Sequence, residues 1–224
     1  MTTLDRAALS EEIVSWDGKS AAALQSTYER HCTEEDFVAT VLSHIADVQL
    51  QRAATWLLKK HLETGNALTA AGCRAIFEAL PVQEHWESKL HILQCVPFLD
   101  IPEDESAGLE RFLEVCLGSD NKFVRAWAYN GFNELSLRFP RYRQKVDGML
   151  ARASVSEAAS VRARIRNMLK RSRNIRQSVP TAWRLLRYLP VGQLLGDGDA
   201  RVPPPASRST TSGGSGGRAV EIWV

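Results

Sequence analysis

Trp127 and Asn130 stand three residues apart in 120-DNKFVRAWAYNGFNEL-135, and Asp120 and Arg125 open the same stretch. An indole, a carboxamide and a charge pair within one helix length could stack on a ring, hydrogen-bond a peptide unit or hold an anion. Catalysis asks for more. The chain has no GxSxG, no GxxxxGK followed by Ser or Thr, no HExxH and no glycine-rich turn after a strand. Its five histidines (His31, His44, His61, His85, His91) have no evident nucleophile beside them. His91 and Cys95 are four apart, a metal-ligand spacing on a helix, but no second pair accompanies them, so packing is expected and no metal or cofactor is assigned. The widely spaced Cys32, Cys73, Cys95 and Cys116 form no CxxC and read as reduced, mostly buried thiols of a cytoplasmic protein.

Helical periodicity must position these residues. It runs to about residue 173 and breaks at Asp17-Gly18, Cys32-Thr33, Gly65-Asn66, Pro81, Pro102, Gly118-Ser119, Pro140 and Ser154–Ser156. No stretch alternates like a strand, so the expectation is an all-α chain. The apolar runs are short and interrupted by charge, which leaves no membrane span, and the start MTTLDRAALSEEIVSW lacks the apolar core of a secretory signal.

Four segments align: 47-DVQLQRAATWLL-58, 84-EHWESKLHILQC-95, 120-DNKFVRAWAYNG-131 and 157-EAASVRARIRNM-168, offset by 37, 36 and 37 residues. Asp47, Glu84, Asp120 and Glu157 lead them, and Arg52, Lys89, Arg125 and Arg162 follow five positions later. Behind this charge pattern come the mostly apolar columns Ala53, Leu90, Ala126, Ala163 and Thr55, Ile92, Ala128, Ile165. Another helix precedes each segment, over about 34–45, 69–80, 104–117 and 140–152, so the unit is a helix pair whose acidic turn residue can cap the second helix. A less regular pair, about 4–16 and 19–31, is expected to cap the N-terminal end.

An acidic turn followed by VR-x-A, clearest in 120-DNKFVRAWA-128 and 157-EAASVRARI-165, resembles the HEAT and HEAT-like repeat family over about residues 33–173. WDGKS at 16–20, TWLLKKHLE at 55–63, HWESKLHILQC at 85–95 and NKFVRAWAYNGF at 121–132 are also similar to a small group of uncharacterised bacterial HEAT-like proteins. The resemblance implies an α-α superhelix: a right-handed HEAT-like solenoid of about four helix pairs plus the N-terminal cap pair, covering 1–175. It also implies that second helices line a concave face. The stripe His91, Gln94, Trp127, Asn130, Glu134, Arg164, Asn167 and Arg171 would then be the partner-binding surface. The function expected is a non-catalytic protein-interaction module or scaffold taking a protein or peptide.

HEAT-like alkylpurine DNA glycosylases supply the alternative, a groove with aromatics, an Asp and an Arg, for which Trp127, Trp86, Arg125 and Asp120 are the candidates. Asp and Arg recur in every unit, however, and residues 1–137 hold eleven basic and twenty-one acidic residues, a net charge of −10 that opposes a DNA-tracking groove. Residues 138–224 hold seventeen and five, a net of +12, and nothing acidic lies between Ala158 and Gly196. Nucleic acid could therefore meet Arg162, Arg164, Arg166, Lys170 and Arg171. A phosphate or acidic membrane site, a complement to the acidic half and a plain solvated face all remain open for this block.

Residues 176–195 read as a basic amphipathic segment or C-terminal cap helix, and 196–224 as a flexible, disordered Gly/Ser/Pro-rich tail. The ending RAVEIWV places Ile222 and Val224 two apart, in the manner of PDZ-domain ligands.

Overall fold

Four polar side chains start helices here. Ser20 accepts from the Ala23 amide, Thr69 from Gly72, His85 from Glu87 and Asn121 from Phe123, each satisfying an otherwise free N–H at a helix start. The computed structural model describes the backbone of residues 3–178 and the side chains of residues 7–170. Among the described residues there are ten α-helices and no strand. They are α1 (Thr3–Ser15), α2 (Ala21–His31), α3 (Phe37–His44), α4 (Gln51–Glu63), α5 (Ala70–Ala79), α6 (Trp86–Cys95), α7 (Ser106–Leu117), α8 (Lys122–Arg138), α9 (Arg143–Ser156) and α10 (Ala159–Ser178).

Two boundaries differ from the periodicity. Helix α4 begins at Gln51 rather than beside Asp47, because the Asp47 carboxylate accepts from the Gln49 amide and holds the intervening residues in a turn. Helix α9 begins at Arg143, since Pro140 heads a 3-10 turn at Pro140–Tyr142 instead. Helix α10 runs unbroken to Ser178. Most of the expected 176–195 segment, the 196–224 tail and the Ile222/Val224 ending lie outside the described residues.

The helices neighbour one another in a regular order. Helix α2 packs on α4, α4 on α6, α6 on α8 and α8 on α10, while α1 packs on α3 and α3 on α5. One apolar cluster runs through them, from Leu9 and Ile13 through Phe37, Leu57, Leu93 and Phe132 to Val161 and Ile165. The repeat column Thr55, Ile92, Ala128, Ile165 is at most 1% exposed in every unit. Small residues let α8 come close to α7: a Cβ on Gly131 would sit 2.5 Å from Leu113 Cδ2.

Hydrogen bonds between side chains join neighbouring pairs at nearly the repeat distance. Ser10 meets His44 at 2.6 Å, Tyr28 meets Thr64 at 2.7 Å and Thr55 meets His91 at 3.1 Å, spanning 34, 36 and 36 residues. The N-terminal pair is thus bonded in like the others. Its connecting turn holds Gly18 at φ +74°, and the Gly18 carbonyl accepts from Arg52 at 2.7 Å. Gly65 ends the α4 region at φ +93° with open space around it. Strain alone therefore sets the effect of Gly65→Ala, an expected loss of about 1 kcal/mol in urea unfolding with an unchanged slope.

Candidate functional site

Helices α6, α8 and α10 carry the stripe predicted from the repeat. His91 and Gln94 on α6, Trp127, Asn130 and Glu134 on α8 and Arg164 on α10 are half-buried, and Asn167 is exposed. The Arg171 side chain lies outside the described residues. On α4 the equivalent positions, Ala54 and Leu57, are fully buried, so the polar stripe begins only at α6.

Its centre is a contact between helices. The Arg164 guanidinium lies 3.4 Å from the centroid of the Trp127 indole, and Trp127 packs on the core beneath. A guanidinium over an indole is attracted by the ring's negative face and is held flat, so the two present a stiff platform. Asn130, one turn along α8, makes no hydrogen bond among the described residues, and the buried Gln94 Oε1 also lacks a partner.

His91 is a fixed donor. The Thr55 hydroxyl donates to the Gln51 carbonyl at 2.6 Å, so its oxygen receives the His91 Nδ1 proton at 3.1 Å. Burial, helped by the charges of Lys59 and Arg52, pushes the His91 pKa down to about 3. The ring is neutral throughout the physiological range and has no nucleophile to activate. Burial raises the Cys95 thiol and takes Cys116 up to about 12, which leaves both unreactive. Among the described residues no group of three or more His, Cys, Asp or Glu side chains is placed to hold a metal ion.

The recurring charges take several partners. Arg125 donates to Glu157 at 3.1 Å and to the carbonyls of Ser119 and Asp120 at 2.8 and 3.0 Å, while Tyr129 donates to Glu157 at 3.2 Å. Arg52 pairs with Glu87, three residues beyond the turn acid Glu84, and lies over the Trp16 ring. Lys89 makes no ion pair among the described residues, and Arg162 reaches the Val155 carbonyl at 3.5 Å. Positive charge just after residue 137 meets the acidic half: Arg138 pairs with Asp100, Arg141 with Glu103, and Lys145 with Glu110 and Glu114. In the later basic block Arg166 and Lys170 are exposed on α10. Trp86, a candidate for the glycosylase alternative, is 41% exposed at the start of α6 beside His85.

One residue escaped sequence reasoning. Gln51 is fully buried. Its Oε1 accepts from the Glu84 and His85 amides at 2.9 and 3.3 Å and from Ser88 Oγ at 2.6 Å, so it caps the start of α6 from the neighbouring pair. The signal was a glutamine in the column otherwise held by Ser88, Val124 and Val161.

Comparison with family models, curated proteins and solved structures finds no match to the chain. No helix among the described residues is long and apolar enough to cross a membrane.

Proposed function

We propose that the chain is a non-catalytic scaffold, a HEAT-like solenoid that binds a protein or peptide partner across the outward side of α6, α8 and α10. The order of helix neighbours and the repeat-spaced hydrogen bonds support the solenoid. The observation that carries the binding face is the Trp127–Arg164 platform, beside which the half-buried Asn130 makes no side-chain hydrogen bond among the described residues. Tryptophan and arginine are the side chains that most often dominate protein interfaces, and here packing has already fixed both. The same proposal places the protein in the cytoplasm, in keeping with four free cysteines.

The test compares the full chain with Trp127→Ala as bait in the same cell extract, with bound proteins quantified at physiological and high salt. Specific partners should survive the salt and bind the variant roughly thirtyfold more weakly, about 2 kcal/mol. An unchanged set of bound proteins, with the helical signal intact in both baits, would sink the reading.

Exposed Arg166 and Lys170, in a block without acidic residues, favour a second reading in which nucleic acid is the ligand. It predicts binding to labelled DNA or RNA that falls steeply with salt and weakens on Arg166→Ala. Glycosylase-type chemistry finds less support, because Arg125 is already engaged by Glu157 and two carbonyls.

A further inference from the structure

A cleft of about 160 Å³ opens where α8 ends against the chain leaving α6. Val96, Leu99, Ile101 and Leu137 give it apolar walls, and Glu134 and Arg138 line it as well. The carboxylates nearby in the chain are occupied: Asp100 holds Arg138 at 2.7 Å, Glu103 pairs with Arg141, and Asp104 and Glu105 each meet Arg74 at 3.2 Å. Glu134 differs, for it makes no hydrogen bond or ion pair among the described residues. A carboxyl group in a largely polar cleft with some apolar wall, its acceptor oxygens unused among the described residues, is complementary to a cation on a slender apolar stem.

We propose that this cleft receives a lysine side chain of the partner, its four methylenes against Leu99, Ile101 and Leu137 and its ammonium on Glu134. The size agrees, since a cavity of about 150 Å³ holds a benzene ring and the stem and ammonium have one heavy atom fewer. Long cationic side chains lay their methylenes along apolar surface while the charged head reaches a polar group. An ammonium also carries three donors, which a lone carboxylate can satisfy in part with the rest turned to the open mouth. Guanidinium is a poorer fit, because its planar fork looks for a paired acceptor and Arg138 already holds the neighbouring Asp100. Burial raises the Glu134 pKa and the charge of Arg138 offsets this only in part, so desolvation remains for an incoming cation to relieve. Phe98, 51% exposed in the 3-10 turn Val96–Phe98, offers apolar contact beside the mouth for the rest of the partner.

The proposal rests on the scaffold reading for its source of lysine, but its test needs no partner. n-Butylammonium is titrated into the full chain while the methyl resonances of Val96, Leu99, Ile101 and Leu137 are followed by NMR. Saturable shifts in the millimolar range, suited to a fragment of this size, are expected. Glu134→Gln, which removes the charge from a carboxyl that burial already disfavours, keeps the fold and should bind roughly tenfold more weakly. N-Acetyl-lysine methylamide should bind as n-butylammonium does, and n-butanol should not compete. Unmoved methyls, equal binding by Glu134→Gln or n-butanol, or exclusion of the lysine amide while the free amine binds would each overturn the proposal. Failure here leaves the Trp127 comparison standing, and failure there leaves this titration readable.

Discussion

Replacing Gln51 with leucine is expected to destabilise the protein by about 3 kcal/mol in urea unfolding, more than any surface substitution. Leucine fills a similar volume, so cavity formation contributes little. The loss comes from the groups left behind. Amides of Glu84 and His85, at the start of α6, lose the acceptor that stands for a helix cap, and Ser88 Oγ loses its 2.6 Å bond. In Ser88→Ala the Gln51 Oε1 keeps the Glu84 and His85 amides as donors, so the substitution should cost only about 1 kcal/mol. The double variant should then fall short of the sum, because the pair shares one bond. A Gln51→Leu protein within about 0.5 kcal/mol of wild type would show that the buried amide is incidental to the joint between α4 and α6.

Acidification should act through His91 first. Its pKa is about 3 in the fold and 6.5 when unperturbed, so the unfolded chain binds the proton that the folded one refuses. The stability tied to a neutral His91 is fully present above pH 6.5. It is lost at about 1.4 kcal/mol per pH unit as pH falls below that value toward 3. Two acids then act in the same direction, lower down. For Glu12, burial alone would raise the pKa, but hydrogen bonds from Arg30, Thr27 and His31 overcome it and hold the carboxyl at about 2. Glu157 is likewise raised by burial and lowered further by Arg125, with a net depression. Stability from both is present above pH 4.5 and lost as pH falls toward their folded values. The urea midpoint should therefore decline in two stages, starting near pH 6.5 and steepening below pH 4.5. His91→Gln keeps a donor for Thr55 without a titrating ring, and should make the upper stage shallower while leaving the lower stage unchanged. The remainder of the upper stage comes from His61 and His85, whose pKa values burial also lowers. An upper stage of unchanged slope in that variant would remove His91 from the account.

The helices and their buried faces were legible because periodicity reports which side of a helix meets apolar surroundings. The in-register charges set the repeat length that cross-pair bonds such as Tyr28–Thr64 later match. That was enough to place Trp127, Asn130 and Arg164 on neighbouring helices and to mark the apolar-column residues Ala126, Ala128 and Ile165 for the interior, where all three are buried. Choice of partner was not legible. Repetition suggested equivalent duties for Arg52, Lys89, Arg125 and Arg162, yet their contacts among the described residues differ: an off-column Glu87, no ion pair, the next turn's Glu157 and a carbonyl. Long side chains reach several candidates within a few ångströms, and small differences in helix offset decide among them. For the same reason only the tertiary structure could stack Arg164 on Trp127, aim Gln51 at the start of α6, or leave Glu134 beside Arg138 in a cleft with no ion pair among the described residues. Sequence determines which faces are apolar and how often the pattern returns; which polar atoms meet across those faces depends on the packed distance between helices far apart in the chain.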